Sequence, residues 1–226
     1  IGRKVVADPT LASARQDLAA ALGRELAAIH SILPPSRGGT VIKGIPEPPA
    51  GDPVSAALAQ IEAMLDRLPE PHPALDLALG WLDRRRPEGR LCLVHRDFRT
   101  GNFLVSPEGL EAILDWEFSG WGAPEEDLAW ICVRDWRFGR LDLPVGGFAR
   151  REPFFSAYER AGGAPVDPVV VRWWEILGNV RWALGCVEQV RRYRSGQSRD
   201  LELLAIGRRA AEMEYEALRL IRQGSP

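Results

Sequence analysis

Lysine is almost absent: Lys4 and Lys43 are the two among 29 basic residues, so the positive charge of this chain is carried by arginine. Against 31 acids the net charge is -2, which excludes a general attraction to nucleic acid or to an anionic membrane. Histidine is scarce too. His30, His72 and His95 are spread along the chain with no HxH or HExxH spacing, which is too little for a histidine-built zinc site. The three cysteines, Cys92, Cys132 and Cys186, are far apart and lack CxxC spacing. That argues against a disulfide framework and a thiolate metal site, and predicts buried thiols in a reducing cytoplasm. No apolar run approaches the ~18 residues of a membrane helix. The opening stretch IGRKVVADP has no apolar core of the kind a secretion signal needs.

What is present is an ordinary globular composition, 46% hydrophobic and 27% charged. Helical periodicity begins after Thr10, read as an N-cap, and places Leu11, Ala14, Leu18, Leu22 and Ile29 on one face until Pro34-Pro35. Residues 34–52 are rich in proline and glycine and read as a surface loop. Helical patterns resume at 53–68 and 73–85. Three short strand-like runs follow at 91–94, 102–105 and 110–114, the last two joined by the turn Ser106-Pro107-Glu108-Gly109. Further helices are expected at 124–136, 151–162, 167–194 and 198–222. The expected fold class is α+β, mostly α, with a small hairpin inside one domain spanning 1–226.

The hairpin carries the polar residues of interest. If Val105 pairs with Leu110, Asn102 faces Ile113, and Asp115 lies just beyond at the same end. Both offer oxygen, and one is charged. Mg²⁺ prefers oxygen ligands and is commonly held by few protein groups plus phosphates and water. Asp97, five residues before Asn102, sits where it could accept a proton from a substrate hydroxyl. Phosphoryl transfer asks little more of a protein than positioning and charge stabilisation.

HRDFRTGN (95–102) followed by ILDWE (113–117) resembles the catalytic loop and metal segment of the aminoglycoside phosphotransferase and choline kinase family, a branch of the protein-kinase-like fold. The family loop is usually HGDxxxxN; here Arg96 replaces the glycine. The resemblance implies the C-terminal lobe of that fold, with ATP and Mg²⁺ as cofactors and a small-molecule hydroxyl as acceptor. It makes Asp97 the catalytic base, Asn102 and Asp115 the Mg²⁺ ligands, and His95 an organiser of the loop. Arg99 is placed to touch the transferred phosphate, and Asp127 to brace the loop from a helix start. Glu117, Trp121 and Trp136 are candidate substrate contacts. The stretches 135–148 and 171–184 resemble uncharacterised bacterial members and the kinase-like domain fused to some acyl-CoA dehydrogenases. That likeness favours a hydroxy acid or hydroxyacyl thioester as acceptor. An aminoglycoside would instead need acids, for which Glu125, Glu126 and Asp135 are candidates.

Each residue also has a plainer role: His95 in the core, Asp97 or Asp115 in a turn, Glu117 in solvent, Trp173, Trp174 and Trp182 in the core. Two other functions compete: a metal-dependent hydrolase using His95 and Asp97, and a kinase-like module that binds without catalysis. The N-terminal lobe of a kinase supplies a phosphate loop, a lysine and its glutamate partner. None is recognisable here, and the chain opens on Ile1. The expectation is therefore that the ATP-binding β lobe is missing, and that the chain alone binds ATP poorly.

Overall fold

The computed structural model describes residues 2–224. A short helix, α1 (Gly2–Ala7), precedes the long α2 (Ala12–His30). The cap is not Thr10. Asp8 accepts from the Thr10 backbone N–H at 2.9 Å and from its hydroxyl at 2.7 Å, and caps a 3-10 turn at Pro9–Leu11 that leads into α2. Pro9 fixes the first position of that turn and moves the start back. After the 34–52 loop come α3 (Pro53–Leu65), capped by Asp52, and α4 (Pro73–Asp83).

The strands among the described residues form two separate antiparallel pairs. Strand β1 (Cys92–Val94) pairs with β4 (Gly120–Gly122), and β2 (Phe103–Ser106) with β3 (Gly109–Ile113). Val105 does face Leu110, but the register shifts between Leu104 and Val105, so Phe103 faces Ile113. Asn102 therefore does not face Ile113. Its carbonyl accepts the Leu114 N–H at 2.8 Å, one step closer to Asp115. A bulge inserts one residue and bends the strand, which is how it re-aims the end of this hairpin.

Helix α5 (Pro124–Trp130) is half the length expected. It stops because Arg137 folds back: its guanidinium donates to the Cys132 carbonyl at 3.0 and 2.7 Å and to Glu175 at 2.7 Å. The helix expected at 151–162 is α6 (Arg151–Arg160), and that at 167–194 is α7 (Pro168–Arg194), capped by Asp167. The helix expected at 198–222 is broken into α8 (Glu202–Gly207) and α9 (Ala210–Arg222). The break falls where Gly207 lies so near Val190 of α7 that no Cβ would fit, and where Arg209 turns to Asp135.

Helix α7 runs through the core, burying Trp173, Trp174, Ile176, Leu177, Val180 and Leu184. Helices α4, α5, α8 and α9 pack on it, while α6 packs on α2. Gly23 permits that second contact: a Cβ there would lie 2.6 Å from the Phe154 carbonyl oxygen. The cysteines are free and buried, and burial pushes the thiols of Cys132 and Cys186 up to about 11 and about 12. No helix among the described residues is long and apolar enough to cross a membrane.

Candidate active site

Strand β1 delivers the chain into the loop 95–102, and α5 begins directly behind that loop. Asp127, in the first turn of α5, is fully buried. Its Oδ2 accepts the His95 N–H and its Oδ1 the Arg96 N–H, each at 2.7 Å. His30, from the end of α2, places Nε2 3.2 Å from Oδ2 and Nδ1 3.0 Å from the Tyr158 hydroxyl. Because a carboxylate only accepts, Nε2 carries the proton in that bond. Burial alone would push the Asp127 carboxyl up. The His30 hydrogen bond, the two imidazoles and the His95 N–H outweigh it and hold the group below the usual aspartate value.

This grip accounts for the backbone of Arg96. Its φ is 64°, in the left-handed region that favours glycine, a strain of about 1–3 kcal/mol for another residue. The Asp127 bond holds it there. The side chain finds partners as well: it donates to the Trp121 carbonyl at 2.9 Å and lies 3.5 Å from Glu126. Arg181 also lies 3.5 Å from Glu126, donates to the Arg96 carbonyl at 3.1 Å and stacks on Trp130.

His95 links the loop to the hairpin. Its Nδ1 accepts the Asp97 N–H at 3.2 Å, so Nε2 is the donor to the Leu114 carbonyl at 2.9 Å. Both ring nitrogens are thereby engaged, one in the loop and one at the hairpin end. Asp97 is 8% exposed and its carboxylate is crowded with donors. Oδ1 accepts from Trp130 at 2.9 Å, Oδ2 from the Asn102 amide at 2.7 Å, and Arg99 Nε lies 3.0 and 3.1 Å from the two oxygens. The Arg99 guanidinium rests 4.8 Å above the Trp136 ring.

Asn102 gives its amide to the Asp97 carboxylate and, at 2.9 Å, to the Asp97 carbonyl. Those groups can only accept, so the Asn102 nitrogen must face them and its oxygen is turned away. Asp115 is exposed, with φ 62°, and makes no side-chain hydrogen bond among the described residues. An amide oxygen and a carboxylate, both unspent at one end of the hairpin, fit a hard oxygen-seeking cation such as Mg²⁺. No group of three or more His, Cys, Asp and Glu side chains is placed to hold a metal among the described residues.

The remaining candidates separate. Glu117 is exposed at the hairpin end, beside Trp116, whose ring packs 4.6 Å from His95. Trp121 is buried in β4 opposite Leu93 and, with Arg96 and Gly120, borders a hollow facing the segments 46–49 and 56–60. Trp136 lies under Arg99 between Trp130 and Trp182, and its buried Nε1 has no partner among the described residues. Three contributors escaped the sequence reading. Trp130 was one more apolar residue of an expected helix; His30 and Tyr158 lie far from the loop in sequence, and only packing of α2 against α6 brings them to it.

The model of the phosphotransferase enzyme family matches residues 2–166. Acyl-CoA dehydrogenase family member 11 of Rattus norvegicus is 33% identical over 115 residues, 45% of this chain and 14% of that protein. Its counterpart in Mus musculus is 41% identical over 142 residues, 56% of this chain and 18% of that protein. The chain thus spans less than a fifth of these curated relatives. Among solved structures, a Ralstonia eutropha protein classed with the aminoglycoside phosphotransferases superposes with TM-score 0.75 at 21% identity, over 95% of this chain and 68% of that one. The choline kinase LicA of Streptococcus pneumoniae gives 0.57 at 19%, over 89% and 64%. LicA has also been solved with AMP. The fold is the one shared by these solved phosphotransferase and kinase structures, and the chain belongs to the phosphotransferase enzyme family.

Proposed function

We propose that this lobe transfers the γ-phosphoryl group of ATP to a hydroxyl of a small molecule. The arrangement of Asp97, Asn102 and Asp115 on one braced loop and hairpin end carries the reading. Asp97 is the base that orients the acceptor hydroxyl and takes its proton. Arg99 holds both Asp97 oxygens at rest and is the group that yields when a hydroxyl arrives, turning its charge toward the transferred phosphate. Asn102 and Asp115 hold Mg²⁺, which when bound supplies positive charge to the phosphates. His95 fixes the loop against Leu114, Asp127 fixes it against α5, and Glu117 borders the opening. Adenine-nucleotide binding by LicA is consistent with ATP as donor.

The acceptor we favour is a hydroxy acid or its acyl thioester. A polycationic acceptor needs free carboxylates, and two candidates are already spent. Glu126 sits between Arg96 and Arg181, and Asp135 between Trp182 and Arg209. Similarity to acyl-CoA dehydrogenase family members points the same way. A hydrolase built on His95 and Asp97 is disfavoured because both His95 nitrogens are engaged. The lysine that grips ATP phosphates in kinases has no counterpart on a strand: Lys4 lies on α1 and Lys43 in the 34–52 loop. We therefore assign nucleotide grip to an N-terminal lobe outside residues 1–226, and this chain alone should bind Mg·ATP weakly.

The test is ATP consumption by the full-length protein with hydroxyacyl-CoA compounds, choline-like amines and aminoglycosides side by side. Turnover with the acyl compounds supports the reading. Turnover confined to aminoglycosides would reverse the acceptor, and none with any acceptor would favour a binding module.

A further inference from the structure

A cavity of about 700 Å³ opens between α1, residues 134–141 and the corner of α8 with α9. Its charged lining is Arg3, Arg134, Arg208 and Arg209 against Asp135 and Glu212. The two carboxylates offset only two of the four guanidiniums. Asp135 accepts the Trp182 indole N–H at 2.6 Å and pairs with Arg209. Arg134 lies 3.5 Å from the buried Glu216. Arg3 and Arg208 are exposed and make no side-chain hydrogen bond or ion pair among the described residues. Two unengaged guanidiniums and the Glu212 carboxylate, which has no ion pair among the described residues, thus face a concave space beside two guanidiniums that partners hold in place. Guanidinium forks suit carboxylate and phosphate oxygens, and pre-positioned ones lose little freedom on binding.

The cavity backs onto the catalytic loop. Helix α1, which supplies Arg3, packs on the Thr100–Asn102 turn. Asp135 precedes Trp136, whose ring carries Arg99 and through it Asp97. We infer that this cavity binds the anionic end, carboxylate or phosphate, of the acceptor whose hydroxyl is phosphorylated at Asp97. Arg3 and Arg208 are its clamps, and Arg209 is a fixed wall set by Asp135. The inference rests on the kinase reading and narrows it to anionic acceptors.

Calorimetric titration of the full-length protein tests it, with coenzyme A as the phosphate probe and 3-hydroxybutyrate as the carboxylate probe. Binding of either probe, weakened about tenfold or more in the double variant Arg3→Ala/Arg208→Ala, is expected, because charge-assisted hydrogen bonds are lost. Mg·ADP affinity and the thermal midpoint should not change, which separates this site from the nucleotide cleft. Coenzyme A alone would identify phosphate as the recognised group, and 3-hydroxybutyrate alone carboxylate. Binding unaffected by the double substitution, or no binding of either probe, would overturn the inference. The kinase reading fails differently: Asp97-dependent ATP turnover with a neutral alcohol would preserve it even if the anion site were lost.

Discussion

Three side-chain donors converge on the Asp97 carboxylate: Arg99, Asn102 and Trp130. Two are polar residues within the motif, and the spacing HRDFRTGN made them visible. The third is an indole from the end of α5, and nothing in the sequence distinguishes it from a core tryptophan. Trp130→Phe keeps the ring and removes the donor. A charge-assisted bond of about 1.5–3 kcal/mol predicts a fall in kcat of roughly tenfold or more, with KM for ATP little changed. An unchanged kcat would mean the indole only packs. Asp127 predicts a pH effect. Its folded value lies below the usual aspartate value, so the unfolded chain binds the proton more tightly. Its contribution is complete above about pH 4 and is lost as pH falls through the depressed folded value. Asp127→Asn should therefore lower stability at neutral pH by about 1–3 kcal/mol and flatten the acid limb of a stability-against-pH curve.

At the scale of elements, most of the helices and the hairpin could be read from periodicity and turn residues. The helix start was missed for a local reason, Asp8 and Pro9, while in α5 a tertiary partner overrode local pattern. Helix α5 looked continuous to Trp136, but Arg137 turns inward to Glu175, a partner far along the chain on α7. Strand β4 is only Gly-Trp-Gly and has no strand signature of its own; it pairs because β1 lies beside it. The bulge in the β2–β3 hairpin leaves Glu111 as the extra residue, between Leu110 and Ala112. These contacts have consequences for stability. Glu175 is buried, receives Arg137 and Arg151 at 2.7 and 2.5 Å, and is pushed up by burial against both arginines. Arg137→Ala should cost about 3 kcal/mol in urea unfolding, because it leaves a buried carboxylate half-compensated. Gly23→Ala should cost about 1–3 kcal/mol, since the added methyl meets the backbone of α6 and no flexible side chain can yield. A neutral result for either would contradict the packing described for that element.

At the scale of the molecule, a mostly helical fold packs around α7 and sets a largely buried loop beside an exposed hairpin end. The class of fold and the polar constellation were legible because short-range spacing encodes both. The brace was not, because His30, Asp127 and Tyr158 lie on α2, α5 and α6, and only packing joins them. The arginine-lined cavity was equally hidden, its residues coming from both ends of the chain. The central claim is that Asp97 on this braced loop serves phosphoryl transfer, and one measurement bears on it most directly: Mg·ATP turnover of the full-length protein and its Asp97→Asn variant with a saturating hydroxyacyl acceptor. The account predicts a folded variant with nucleotide affinity retained and turnover reduced about 10²–10⁴-fold. Turnover at the wild-type rate in Asp97→Asn would contradict it.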